Sequence, residues 1–266
     1  MSTDDVVGDQ SFEPSGFPRD LTADVADAEL RLEQHLQKGE LVLAARMSWA
    51  IASGLLKLGS RDRARDAAAR AIELAERSGD RFQLIKLLGG LAEDLADDSQ
   101  FDEAVGFFER AIELGTVPPP TIDEETVGDY RTDLIDILMR LGRPERALEI
   151  AEDNLAASVS SNQKGVNGVN DRVWSAYLLA DAALATGRAD YARSVLTRHA
   201  GAAEELLALA PRNQFFGDTV ASFLESYAIA EAGLGKPEDS RIHAERAASI
   251  RAWVGRPSWS RPFLRS

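Results

Sequence analysis

LGGLAEDLADDSQFDEAVGFFERAIEL, residues 88–114, is the stretch from which the fold can be read. It holds a small residue at Ala92, a turn position seven later at Ser99, Ala104 five after that, and Ala111 seven further on. The framework recurs along the chain. Ala52, Gly59, Ala64 and Ala71 make the first copy, and Ile135, Gly142, Ala147 and Asn154 the third. Ala180, Gly187, Ala192 and His199 follow as the fourth, then Ala228, Gly235, Ser240 and Ala247 as the fifth. Glycine suits a helix end where the backbone turns left-handed. Small residues on either side of it let two antiparallel helices approach closely, while Leu and Phe fill the flanks. Each unit therefore reads as a helical hairpin. A hairpin with apolar faces on both sides is not stable alone, so successive copies must stack into a solenoid.

The rest of the chain agrees. Leu21, Val25, Ala28, Leu32 and Leu36 fall on one helix face, with Thr22 as the expected N-cap and Gly39 at the end. Amphipathic windows alternate with short Gly or Pro breaks, and none shows the period-two alternation of a half-buried strand. Two longer breaks, 115–128 with Pro118, Pro119 and Pro120, and 158–171 rich in Ser, Asn and Gly, are expected to be inter-helix loops. The expected organisation is a disordered acidic leader over 1–20, a single domain of about five hairpins over 21–254, and a basic, aromatic tail over 255–266.

These hairpins resemble the tetratricopeptide repeat (TPR) family. Residues 88–114 and 138–152 (LMRLGRPERALEIAE) carry the likeness, which extends over about 45–251 and includes Phe101 and Phe108 where that family favours aromatics. Ala68, Ala151, Leu196 and Ala244 stand where Phe108 does, and Ser240 replaces the expected Ala. The resemblance implies an all-α, right-handed superhelix that binds a partner along its concave face. Turn positions at 59, 99, 142, 187 and 235 are spaced more widely than the typical ~34 residues, so helices or loops must be longer. Such stretched repeats are similar to those of bacterial peptide-sensing regulators and of the sensor arms of signalling ATPases. Neither a DNA-binding helix-turn-helix nor a nucleotide-binding domain accompanies them.

Composition narrows the chemistry. The 266 residues are 44% hydrophobic, enough for a sizeable core, and contain no cysteine, which removes disulfides and thiolate chemistry. Thirty Lys and Arg against 44 Asp and Glu leave −14, a surface that repels the phosphate backbone on which nucleic-acid affinity depends. The first twenty residues lack the basic, then apolar, pattern of a signal peptide, and no apolar run approaches the ~20 residues a bilayer requires. A cytoplasmic protein binding neither nucleic acid nor membrane is expected. GLLKLGS at 54–60 has no Lys before its Ser, and Gly233-Leu234-Gly235 lacks a third glycine, so neither nucleotide motif is met. His35, His199 and His243 lie far apart, and no cofactor or metal site is expected. Glu93 with Asp97, and Asp129 and Asp133 with Asp136, share helix faces. In so acidic a chain these read as solvated faces rather than catalytic pairs, and the chain is not expected to be an enzyme.

In the resembling family the first helix of each hairpin lines the superhelix. The corresponding stripe is Arg46, Trp49, Ser53 and Lys57, then Lys86, Glu93 and Asp97. It continues through Asp129, Asp136 and Arg140, then Trp174, Tyr177 and Asp181, and ends at Ser222, Glu225 and Ile229. Trp49, Trp174 and Tyr177 are the candidate anchors, since aromatics with a polar tip dominate interfaces. A closed pocket of Trp174, Tyr177 and Asp181 would favour a ligand- or peptide-sensing regulator, and an open channel a scaffold. Residues 1–30 carry −7 and 251–266 carry +4, from Arg251, Arg256, Arg261 and Arg265 interleaved with Trp253, Trp259 and Phe263. The expected partner is a protein or peptide, in particular a basic segment such as the chain's own C-terminal tail, lying in the groove or capping the last hairpin.

Overall fold

The computed structural model describes residues 20–254, except 162 and 212. The expected leader, save Asp20, and the tail over 255–266 lie outside the described residues. The described residues form α-helices and no strand. A first helix, α1 (Leu21–Gln37), is followed by α2 (Leu41–Lys57) with α3 (Arg61–Ser78), α4 (Arg81–Asp97) with α5 (Phe101–Thr116), and α6 (Glu124–Arg140) with α7 (Pro144–Ser160). The last two pairs are α8 (Gly165–Ala185) with α9 (Ala189–Leu209) and α10 (Gln214–Gly233) with α11 (Pro237–Val254). Each pair is one copy of the sequence framework.

The turn position adopts the left-handed backbone in all five copies, with φ between 61° and 76° at Gly59, Ser99, Gly142, Gly187 and Gly235. There the Gly59 N–H donates to the Leu56 carbonyl (2.8 Å) and the Ser60 N–H to Leu55 (2.8 Å), which satisfies the last carbonyls of α2. Ser99 and Gln100 repeat the pattern on Ala96 and Leu95. Ser99 alone does so with a side chain, where a Cβ costs about 1 kcal/mol. Ser99→Gly is expected to stabilise the fold by about 1 kcal/mol, read as a rise in denaturation midpoint at unchanged slope.

Small residues sit where helices cross. Ala52, Ala92, Ala104, Ala147, Ala180 and Ala192 are fully enclosed, and Phe108 fills the space beside them. The backbones of successive first helices (α2, α4, α6, α8, α10) approach one another closely, whereas successive second helices stand farther apart and are bridged by long side chains, as in Arg65–Glu103 (2.7 Å) and Arg146–Glu109 (3.1 Å). The first helices therefore form the inner wall of a curved stack.

Two local readings are corrected. The cap of α1 is Asp20, whose carboxylate accepts the N–H groups of Thr22 (3.0 Å) and Ala23 (3.2 Å), so Thr22 is already helical. The loop expected over 158–171 shrinks to 161–164. Ser158 and Ser160 return their hydroxyls to the carbonyls of Leu155 and Ala156 instead of breaking α7. Between α5 and α6 the break is 117–123, pinned by the Arg81 guanidinium on the carbonyls of Leu114 (3.0 Å) and Val117 (2.6 Å). The wide repeat spacing comes from this loop and from α8, α9 and α10, which reach 20 or 21 residues.

Candidate functional site

Several residues of the expected stripe are committed to holding repeats together. Trp49 donates its indole N–H to Asp94 Oδ2 (2.9 Å), Ser53 donates to the other oxygen (3.0 Å), and the indole lies against Gly90. Trp49 is thus a strut between α2 and α4. Arg46 reaches Gln83 on α4 (2.8 Å). Tyr177 is only 6% exposed, its ring 5.1 Å from that of half-buried Trp174, so it offers a partner almost no surface. Asp181 accepts the Ser226 hydroxyl of the next repeat, and Glu225 is tied to Arg251 (2.8 Å). Arg251 also reaches Asp218, which is 2% exposed, and Ser222. One of the tail's four positive charges is therefore inside α11 and neutralised there. Trp49, Arg46 and Asp181 are thus held by the next repeat, Tyr177 packs with Trp174 of its own helix, and Glu225 is held by the second helix of its own hairpin.

The middle of the stripe differs. Lys86, Glu93 and Asp97 of α4 and Asp129 and Asp133 of α6 are exposed on the inner wall, with half-buried Asp136 one turn on. Asp136 bridges to Arg140 (2.9 Å), whose guanidinium lies 5.6 Å from the Phe101 ring centre. The carboxylates of the two helices feel one another. Burial and then Asp94 push Glu93 upward, and burial followed by Glu125 and Asp123 does so for Asp129, with Lys86 opposing in both cases. Asp133, open to solvent yet ringed by protein, is raised to about 7 by desolvation, then by Glu93, Asp129, Asp136 and Asp97.

That shift links groove and stability. Between pH 4 and 7 folded Asp133 holds a proton the unfolded chain has released, so this stabilisation is complete below about pH 4 and fades as pH rises through about 7. Solvent access screens the repulsion. Asp133→Asn is expected to stabilise the protein by about 1 kcal/mol at pH 8 and by little at pH 4, read as melting temperature against pH.

Beside this acidic wall lies a pocket of ≈ 220 Å³ formed by α6, α7, α8 and the start of α10. Glu125, Gly128 and Asp129 line one side, Asn170, Asp171 and Trp174 another, with Phe215 at the rim of α10. Tyr177 and Asp181 are not among its lining residues. Asn170 is 8% exposed, and among the described residues its Oδ1 meets no hydrogen-bond donor. Burial raises Asp171; the Asn170 hydrogen bond opposes this, and Glu125 and Asp129 add to it. Sequence reading missed Asn170 and Asp171 because it placed them in a loop. In the observed helix they lie one turn before Trp174, the signal that would have found them. Phe215 has no such signal.

Among the described residues no helix is long and apolar enough to cross a membrane, and no group of His, Asp and Glu could hold a metal ion. His35 and His243 each pair with a glutamate, Glu40 (2.7 Å) and Glu231 (2.8 Å).

No family model and no curated protein matches the sequence. Solved structures do match the fold. BtubC from P. vanneervenii superposes with a TM-score of 0.61 at 17% identity, covering 94% of this chain and 99% of its own. The fold is TPR-like. Consistent with that, the nearly identical TPR-like repeats of a Podosopora anserina kinesin light chain match at TM-score 0.54 and 17% identity, covering 78% of this chain and 94% of that one. YrrB, a TPR protein with an unusual peptide-binding site, matches at TM-score 0.51 and 17% identity, covering 83% and 92%. The TPR-like assignment rests on architecture shared over nearly the whole described chain.

Proposed function

We propose that this TPR-like solenoid is a non-catalytic binding module whose inner wall takes a basic polypeptide segment. One observation carries the reading: Glu93, Asp97, Asp129, Asp133 and Asp136 converge from two neighbouring inner helices, and the other four raise the proton affinity of Asp133. A cation relieves that repulsion, and a segment with several cations relieves it at several points. Lys86 and Arg140 flank the acids and set the register of the bound segment. Trp174 supplies the aromatic contact. Residues 255–266 of the same chain, with Arg256, Arg261 and Arg265 and no acid, have this composition. Peptide binding by YrrB supports the class of partner.

A fluorescently labelled hexalysine peptide tests the proposal. It is expected to bind the full chain, and Asp129→Asn, Asp133→Asn and Asp136→Asn combined should weaken binding at least tenfold and flatten its salt dependence. Equal affinity for the triple variant and the parent would overturn it. A sensing regulator is the second reading, favoured by the pocket beside Trp174. At ≈ 220 Å³ that pocket is smaller than the roughly 300–1,000 Å³ of small-molecule sites, which favours a side chain of a polypeptide as its occupant.

A further inference from the structure

The pocket between α6 and α8 is more specific than the acidic wall beside it. Among the described residues its lining includes four carboxylates, Glu124, Glu125, Asp129 and Asp171, and no lysine or arginine. Glu124 is engaged by Arg131 (2.6 Å). The other three are close enough to disturb one another's ionisation. The acids alone would accept any cation, but the Asn170 carboxamide narrows the choice. Its oxygen is buried, lacks a donor, and belongs to a side chain lining the cavity. A buried acceptor left unmet is costly, so this position calls for an N–H donor carried on the cation itself.

Shape narrows it further. Trp174 and Phe215 contribute rings to the lining, and flat cations stack on such faces. An ammonium offers three donors around a point, whereas a guanidinium offers five in one plane, enough to meet Oδ1 and two carboxylates while its face lies on a ring. We propose that this pocket recognises a guanidinium group, the side chain of an arginine in the basic segment of the preceding section, on which this inference rests. The chain itself brings arginines close. Arg251 on α11 contacts Asp218, one turn from Phe215, so residues 255–266 set out from the end of the solenoid that carries the pocket rim.

Hexa-arginine and hexalysine peptides of equal charge separate the pocket from the wall. The full chain is expected to bind hexa-arginine at least tenfold more tightly than hexalysine. Asn170→Ala should reduce that ratio to about threefold or less while leaving hexalysine binding unchanged. Gly128→Leu is the second variant. A Cβ at Gly128 meets only Asn154 Oδ1 at 3.7 Å, so a side chain can begin there without straining α6, and the further carbons of leucine take up room in the pocket; it should erase the ratio in the same way. A ratio near one in the parent, or one that survives both variants, overturns the guanidinium pocket even where hexalysine binds. Failure of both peptides to bind would overturn the wall and the pocket together. Replacing Arg256, Arg261 and Arg265 together by Ala identifies the source of the group. Tighter hexa-arginine binding by that variant assigns the pocket to the chain's own tail, and unchanged binding assigns it to a separate polypeptide.

Discussion

Arg251→Met is expected to destabilise the protein by about 3–5 kcal/mol, a fall of roughly 10 °C in melting temperature. The substitution keeps most of the side-chain length and removes the charge that faces Asp218 and Glu225. The two acids respond differently. Glu225 is 33% exposed and can recover water, but Asp218 is 2% exposed and would lose the Arg251 guanidinium at a place where water cannot replace it. Most of the loss should therefore belong to Asp218, and Asp218→Asn in the Arg251→Met background should recover most of it. Arg241→Ala is the internal control. Its pairs with Glu238 (3.3 Å) and Glu245 (2.7 Å) join exposed side chains that water and salt screen, so its removal should cost far less than that of Arg251. Equal losses at Arg241 and Arg251 would show that burial of Asp218 is not the cause.

Gly90→Ala should destabilise by about 2 kcal/mol or more, against the trend of helix propensity. Alanine in the middle of a helix normally gains about 1 kcal/mol over glycine. At Gly90, however, a Cβ would fall within 3 Å of the Trp49 ring, and at neighbouring Gly89 within 3 Å of the Tyr130 ring. The two glycines of α4 receive an aromatic from the repeat before and one from the repeat after. Trp49 is fixed by its bond to Asp94, and Tyr130, at 3% exposure, packs 5.9 Å from the Phe108 ring. Neither ring can yield without opening a joint between hairpins. Gly106→Ala, with nothing within 4 Å of the added carbon, should instead stabilise by up to about 1 kcal/mol. Denaturant midpoints for the two variants decide the matter, and Gly90→Ala behaving like Gly106→Ala would refute the docking of Trp49.

The acidic wall was visible before any coordinates, because Glu93, Asp97, Asp129, Asp133 and Asp136 recur at helical spacing on first helices of consecutive repeats. What spacing could not convey is which helix faces which. The two sets are carried on separate repeats, and only the stacking of α4 beside α6 brings Glu93 into the field of Asp133. A reading of all these acids as merely solvated therefore misses the carboxylate held at about 7. The aromatics show the opposite error. Trp49 and Tyr177 have the composition of anchors, yet a glycine gap on the neighbouring helix or a buried core position absorbs them.

The turn positions, the small residues at 52, 92, 104 and 180 and the break at every hairpin are local requirements. A left-handed turn needs Gly, or a strained Ser99, and a close helix crossing needs Ala, so the sequence by itself determined a solenoid of hairpins and the place of each one. The pocket was decided by tertiary structure alone. Asn170, Asp129 and Phe215 come from α8, α6 and α10, and their convergence depends on the stacking of long repeats, for which a single chain of residue types carries no periodic signal.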